Sequence, residues 1–190
     1  NSEGAAQTAS QKSFELASGK EVALPDNLIY GPKAIKNFND GTEDLVIQDQ
    51  DHVLYVINSA GEQVFSQPLS GPILSEVFQI DYFKNGKLQL VLATSDQIYA
   101  IDRLGDPLPG FPKAIPSEKI THLNVLDYDQ TLDYRYFIAT ENGNLWLFDK
   151  MGKDLENWNP LPLGEPTNGV PFHVRVPGKG DFMVVLGISG

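Results

Sequence analysis

One eight-residue pattern recurs along the chain and limits its fold more than any other feature. It reads Leu54-Tyr-Val-Ile-Asn-Ser-Ala-Gly61, Ile98-Tyr-Ala-Ile-Asp-Arg-Leu-Gly105 and Leu145-Trp-Leu-Phe-Asp-Lys-Met-Gly152, with a weaker copy at Ser13-Phe-Glu-Leu-Ala-Ser-Gly19. The closing glycines, at 19, 61, 105 and 152, are 42, 44 and 47 residues apart. Ahead of each full copy lies a second apolar run and a polar turn: Leu45-Val-Ile-Gln before Asp49-Gln-Asp-His, Leu90-Val-Leu-Ala-Thr before Ser95-Asp-Gln, and Phe137-Ile-Ala-Thr before Glu141-Asn-Gly-Asn. Short β-branched and aromatic runs bounded by Asn, Asp, Ser and Gly are hairpin strands.

A period of roughly 40 to 50 residues built from short strands is that of a propeller blade. An outgoing strand follows each glycine, at Glu62-Gln-Val-Phe, Asp106-Pro-Leu-Pro and Lys153-Asp-Leu-Glu. A further strand opens the next unit, at Glu76-Val-Phe-Gln-Ile, Ile120-Thr-His-Leu-Asn-Val-Leu and Pro171-Phe-His-Val-Arg-Val. Every window long enough for a helix is broken by Gly, Pro or strand-period patterning, and much of the proline lies between the units. The chain is therefore expected to be all-β, with about four four-stranded blades over residues 13–190. Two strands at the N-terminal end, from Ser13 to Val22, are expected to complement the two at the C-terminal end, from Phe172 to Ile188, as halves of one blade. They either close a small ring or leave an open arc of a larger propeller.

Composition removes several classes of function. A formal charge of −11, from 25 acidic against 14 basic residues and with no local basic cluster, repels phosphate backbones and argues against nucleic-acid binding. The longest apolar runs, such as Met183-Val-Val-Leu186, fall far short of the ~20 residues a transmembrane helix needs. With no cysteine, thiolate metal sites, disulfides and Cys nucleophiles are excluded. The small polar residues 1–12 are expected to form a linker or tether, and a start at Asn1 points to a processed or truncated beginning.

These units resemble the β-propeller repeats of the PQQ-like, or quinoprotein-type, superfamily. That blade has an apolar strand, a tight turn, a "lyalD" strand and a "tGk" turn, which Phe14-Glu-Leu-Ala-Ser-Gly19-Lys20 follows most closely. In the quinoprotein enzymes a tryptophan follows that turn. Here Glu21-Val22-Ala23-Leu24, Gln63-Val64-Phe65 and Pro107-Leu108 stand in its place, and only Trp158 comes near. With no vicinal cysteines and few blades, the resemblance implies a non-catalytic scaffold of the bacterial envelope or surface type. It implies no cofactor and an extracytoplasmic location in the periplasm, at the cell surface or secreted.

Metal binding is the sharpest alternative. Asn37, Asn39, Asp40 and Asp44, and likewise Asp127, Asp129 and Asp133, place oxygen ligands at alternating positions before a strand, as calcium loops do. The first set is similar to a degenerate FG-GAP loop. Asp and Asn in tight turns also have a purely conformational use. Trp158, flanked by Asn157 and Asn159, is a candidate contact for a sugar or protein, or a wedge at the blade edge. His52 lies in a turn, while His122 and His173 occupy matching places in successive opening strands and read as structural. The terminal Gly187-Ile-Ser189-Gly190 lacks the further glycine and the downstream His and acid of a nucleophile elbow. Tyr55, Tyr99 and Trp146 share one register and read as core.

The expectation is a non-catalytic domain presenting propeller loops to a protein or carbohydrate partner, with a homodimer as one arrangement. A calcium-binding adhesin-like module is the first alternative. A glycan-active enzyme is the second, and it needs two acids converging at roughly 5 to 10 Å.

Overall fold

A computed structural model of the chain describes residues 12–15, 21–24 and 27–190. The linker expected over residues 1–12 falls outside the described residues up to position 11, and so does Gly19. The first strand begins at Lys12.

Sixteen strands and no helix are present among the described residues. They form three complete four-stranded antiparallel blades flanked by two hairpins. The first blade contains β3 (Leu28–Lys36), β4 (Glu43–Asp49), β5 (Val53–Ile57) and β6 (Gln63–Pro68). In the second are β7 (Phe78–Ile80), β8 (Gln89–Ala93), β9 (Gln97–Ile101) and β10 (Lys113–Ala114). The third holds β11 (Ile120–Leu126), β12 (Arg135–Thr140), β13 (Asn144–Asp149) and β14 (Leu161–Pro162). Before them stands the hairpin of β1 (Lys12–Glu15) and β2 (Glu21–Leu24), and after them that of β15 (Phe172–Val176) and β16 (Gly180–Val184). Among the described residues the two hairpins share no ladder, and each stands as a half-blade beside a complete one.

The continuous apolar strands follow from this stacking. Strand residues alternate faces, and both faces of a blade meet a neighbour. In β8, Leu90 and Leu92 face the first blade, packing with Val46, Leu54, Val56 and Phe65, while Val91 and Ala93 face Tyr136, Ile138 and Phe148 of the third. The outer faces are served the same way, Leu45 and Ile47 by Leu24 of β2, and Phe137 and Ala139 by Met183 beside β15. Tyr55, Tyr99 and Trp146 all turn toward the preceding unit. The two tyrosine hydroxyls are satisfied, Tyr55 donating to Asp49 Oδ2 at 2.9 Å and Tyr99 to Gln97 Oε1 at 2.8 Å.

Each closing turn is built alike. The Oδ1 atoms of Asn58, Asp102 and Asp149 accept from the backbone N–H groups two and four residues on: Ala60 and Glu62 at 3.0 and 2.9 Å, Leu104 and Asp106 at 2.8 and 3.0 Å, Met151 and Lys153 at 2.8 and 2.9 Å. The glycine that follows sits at positive φ, 92° at Gly105. There an added Cβ would stand 2.8 Å from the Phe65 ring of the preceding blade, so the turn also fixes blade spacing.

The outgoing strands differ from expectation in two blades. β6 follows its glycine directly, but Pro107 and Pro109 in the second blade supply no N–H to a ladder. The chain makes a single bridge, Ile101 to Pro107, buries Leu108 and Phe111 between blades, and pairs only at β10. The third blade repeats the detour: a bridge from Phe148 to Asp154, then Leu155 and Trp158 inward, then β14. There the Asn159 amide stands in for a strand peptide, accepting from Leu147 N at 2.7 Å and donating to Leu147 O at 2.9 Å. The last strand lies earlier than the Met183–Gly190 run suggested, because Gly178 and Gly180 turn the hairpin at once, and beyond Val184 the chain pairs back to Asn168 and Pro166.

In urea unfolding, Asp102→Ala is expected to cost about 1–2 kcal/mol, since each of two hydrogen bonds contributes ~0.5–1.5 kcal/mol net. Asp102→Asn, which copies Asn58, should stay within about 0.5 kcal/mol. Equal losses in both variants would remove the turn-cap account.

Candidate binding site on the inner strands

The opening strands of successive blades lie against one another and so line the propeller axis. Gln79 of β7 spans to β3, accepting from Lys36 N at 2.8 Å and donating to Lys36 O at 2.8 Å. Lys33 of β3 pairs with Glu76 at 2.6 Å, and Asn124 of β11 donates to the Pro171 carbonyl ahead of β15 at 2.8 Å. Between these strands opens a cleft of about 450 Å³, walled by Tyr30, Glu76, Phe78, His122, Asn124 and Val170 among others. Its walls mix apolar faces with a few hydrogen-bonding groups, the usual make-up of a recognition site. Glu76 is the one carboxylate on them, and Lys33 neutralises it.

His122 is a half-buried titratable group in this wall. Its Nδ1 lies 3.2 Å from both Thr121 Oγ1 and Thr167 Oγ1, and Thr121 in turn donates to the Ala139 carbonyl at 3.1 Å. Burial pushes the imidazole below its ordinary value of 6.5. The expected match of His122 with His173 is off by one place: Leu126 and Val176 pair with the first residues of β12 and β16, so His173 corresponds to Leu123. Its ring packs against Tyr128 with centroids 5.2 Å apart and meets Asp181 across the hairpin at 2.8 Å. Arg175 holds the same carboxylate at 2.7 Å, which keeps Asp181 below the usual range for an aspartate. Sequence spacing did not reveal this cluster, because the register of β15 against β16 creates it.

The calcium-like loops are occupied by their own chain. Asn37 and Asp44 are buried, and Asn37 Nδ2 donates to Asp44 Oδ1 at 3.2 Å. Arg103 of the next blade takes Asp44 Oδ2 at 3.0 Å. Burial raises the Asp44 carboxyl and the Arg103 guanidinium opposes that rise. Asn39 lies in the turn over Asn37, its N–H donating to Asn37 Oδ1, while Asp40 caps Thr42 through both its N–H and its hydroxyl. In the second loop the Asp127 carboxylate accepts from the N–H groups of Thr131 and Leu132. Asp129 turns to Arg175, and Asp133 to Lys84 and Lys150. Asp81 forms the same cap over Asn85 and Gly86, and the sequence signal shared by the two loops is the Asp-Tyr pair that opens each, at Asp81 and at Asp127. Among the described residues no three acids or histidines converge to hold an ion.

Trp158 lies half-buried, edge-to-face with Phe137 at 6.2 Å. It occupies in the third blade the place of Phe111 in the second. Phe111 N donates to Leu108 O and Trp158 N to Leu155 O, six and nine residues after Asp102 and Asp149 alike. That shared spacing was visible in the sequence and was the signal for a wedge.

No family model matches the chain, and no curated protein matches it. Among solved structures it is similar to BBS1N, crystallised in complex with ARL6DN, with a TM-score of 0.58 at 20% identity over 85% of this chain and 48% of that one. BamB from Moraxella catarrhalis gives 0.53 at 16% identity over 80% and 42%. The C-terminal domain of Pseudomonas aeruginosa PilY1 gives 0.56 at 15% over 82% and 43%. These likenesses establish the fold: the chain is a β-propeller. It spans about half the length of each of these chains.

The His122 shift fixes the sign of one pH effect. The unfolded chain takes up the proton near 6.5 and the folded chain only at lower pH, so the unfolded state binds more protons across that window. Stability from this residue is complete above about 6.5 and falls as pH drops toward the folded value. The melting temperature of the native protein should therefore fall more between pH 7 and 5.5 than that of His122→Gln; parallel profiles would show that His122 titrates as in the unfolded chain.

Proposed function

We propose that the chain is a non-catalytic binding module that engages a protein partner at its inner-strand cleft and the adjoining loops, in an extracytoplasmic setting. The observation that carries this is the cleft itself. It is a preformed recess of about 450 Å³ with aromatic walls, isolated hydrogen-bonding groups and a neutralised carboxylate, set on strands held rigid by blade stacking. Such a surface supports recognition, whereas the two-acid geometry of glycan hydrolysis finds one acid on these walls. BBS1N, similar in fold, was crystallised with a protein partner, which lends the reading support. The extracytoplasmic placement rests on the resemblance to envelope scaffold propellers. A net charge of −11 favours a partner with a basic face and makes association faster at low salt.

Immobilised protein should capture a partner that Glu76→Lys and Val170→Asp each weaken at least tenfold, because both exposed side chains stand on the cleft rim. Lys153→Glu, on an exposed turn elsewhere, should leave capture intact. Equal capture by all four proteins would sink the assignment of the cleft.

The calcium alternative finds less support, since the carboxylates at Asp44, Asp127 and Asp133 are already engaged. Melting temperatures in millimolar calcium and in chelator are expected to coincide. Binding at 100 times the dissociation constant would add ~2.7 kcal/mol, a rise of roughly 5–10 °C for a chain of this length, and such a rise would restore that reading.

A further inference from the structure

A β-bulge sets His122 in the wall of the inner-strand cleft. In the pairing of β11 with β12, Ile120 faces Thr140 and His122 faces Ala139, so Thr121 is the extra residue. An extra residue re-aims the side chains around it. Here it brings Thr121 Oγ1 within 3.2 Å of His122 Nδ1, although strand neighbours ordinarily point to opposite faces.

The two hydroxyls beside the ring fix its tautomer. Thr121 donates its hydroxyl proton to the Ala139 carbonyl at 3.1 Å, so its oxygen meets the imidazole as an acceptor. Nδ1 therefore carries the ring proton and shares it with Thr167 Oγ1, also at 3.2 Å. In such a neutral ring Nε2 is an acceptor only. Among the described residues Nε2 receives no hydrogen bond, and it is not enclosed, so its lone pair opens on the cleft.

The groups around it are already engaged. Asn124 donates to the Pro171 carbonyl and accepts from Val125 N, both at 2.8 Å. Ser75 Oγ accepts from Ala93 N at 2.9 Å and donates to the Glu76 carbonyl at 2.8 Å. Charges on the surrounding elements are paired as well: Glu76 with Lys33 across the cleft, and Lys119 with Asp96 ahead of β11. Glu118 takes the Asn144 amide and the Thr140 hydroxyl, and Glu165, on the Thr167 segment, takes the N–H and hydroxyl of Ser189. Tyr30 stays protonated, since burial first and Glu76 second hold its hydroxyl above the ordinary 10.0. No charge faces the imidazole closely enough to move it, and burial alone lowers it.

We propose that the cleft seats a neutral apolar side chain carrying one hydrogen-bond donor, an indole or phenol of the partner's surface, and that this donor goes to His122 Nε2. The inference rests on the reading of the cleft as the recognition site. Tyr30, Phe78, Leu123 and Val170 supply apolar walls, and Nε2 supplies the acceptor that orients the guest. A cation gains little here, because Lys33 already neutralises Glu76 and entry would strip the cation of water. The charge of −11 steers a basic partner from a distance, while the seat itself selects a neutral group. Protonation of Nε2 turns the acceptor into a donor, so the guest is released in acid.

Two probes of one shape test this: indole, which has an N–H, and benzofuran, where an oxygen takes its place. Nuclear magnetic resonance of the isotope-labelled chain at pH 7.5 should show the Nδ1–H tautomer at His122. Indole should shift the Nε2 resonance saturably and bind at least about fivefold more tightly than benzofuran, the margin of one satisfied hydrogen bond. His122→Leu should make the two affinities equal. In the native protein the advantage of indole should fade as the pH falls below 6.5, because the ring takes up its proton there, while benzofuran binding does not fall. An Nε2–H tautomer, equal affinities in the native protein, or no shift at His122 with either probe would each overturn the inference without recourse to a variant. If Glu76→Lys and Val170→Asp still weakened partner capture alongside such a result, the cleft would remain a recognition surface for another kind of guest. Capture indifferent to both would remove the cleft reading itself.

Discussion

Burial of both faces of every blade is the constraint on which the rest of the structure depends. A sheet with one wet face would need polar residues at alternate positions, yet β8, β9 and β12 are apolar almost throughout, and Leu90, Val91, Leu92 and Ala93 are all buried. Such strands are stable only between two neighbours. At roughly 25 cal/mol per Å² of apolar surface, a buried residue on either face contributes on the scale of kilocalories, and losing one neighbouring blade exposes half of the set. The hairpins at the two ends follow from the same demand, since each covers the outer face of a terminal blade, through Leu24 on one side and Met183 and Val185 on the other.

That arrangement consumes much of the polar chemistry the chain carries. Asn58, Asp102 and Asp149 cap their own turns, Asp81 and Asp127 cap the turns between first and second strands, and Asp49 accepts from Asp51 and Val53. A strand that reverses direction every few residues leaves N–H groups without ladder partners, and short acceptors in the turn satisfy them. The acidic residues therefore serve mainly to hold sharp turns against well-packed strands. The inner-strand cleft, where blades meet, keeps hydrogen-bonding groups outside these turns.

The buried ion pair between the first two blades follows the same logic. Asp44 is 2% exposed on its side chain, and the Arg103 guanidinium from the turn of the next blade compensates it while packing over Phe38 at 6.0 Å. A buried carboxylate left alone costs far more than the pair contributes. The contact therefore acts mainly to fix which turn faces which strand. The Lys33–Glu76 pair on the cleft rim is exposed by comparison, and it contributes charge neutrality there more than stability.

The repeat, its period, the all-β class, the sixteen strands and the turn role of Asp102 were legible in the sequence, because each is a local property of residue order: alternation, turn chemistry and self-similarity. The deferred fourth strands were half-legible, since Pro107 and Pro109 announce a broken ladder but not where pairing resumes at Lys113. Only the tertiary structure brought Asp44 to Arg103, His173 to Asp181, and Tyr30, Glu76 and His122 to one cleft, for those pairs lie on different strands or blades and their distances are set by packing. The directions of the Asp127, Asp129 and Asp133 carboxylates, toward backbone N–H groups, Arg175 and Lys84, likewise appear only in three dimensions, since their spacing fits an ion as well as a turn.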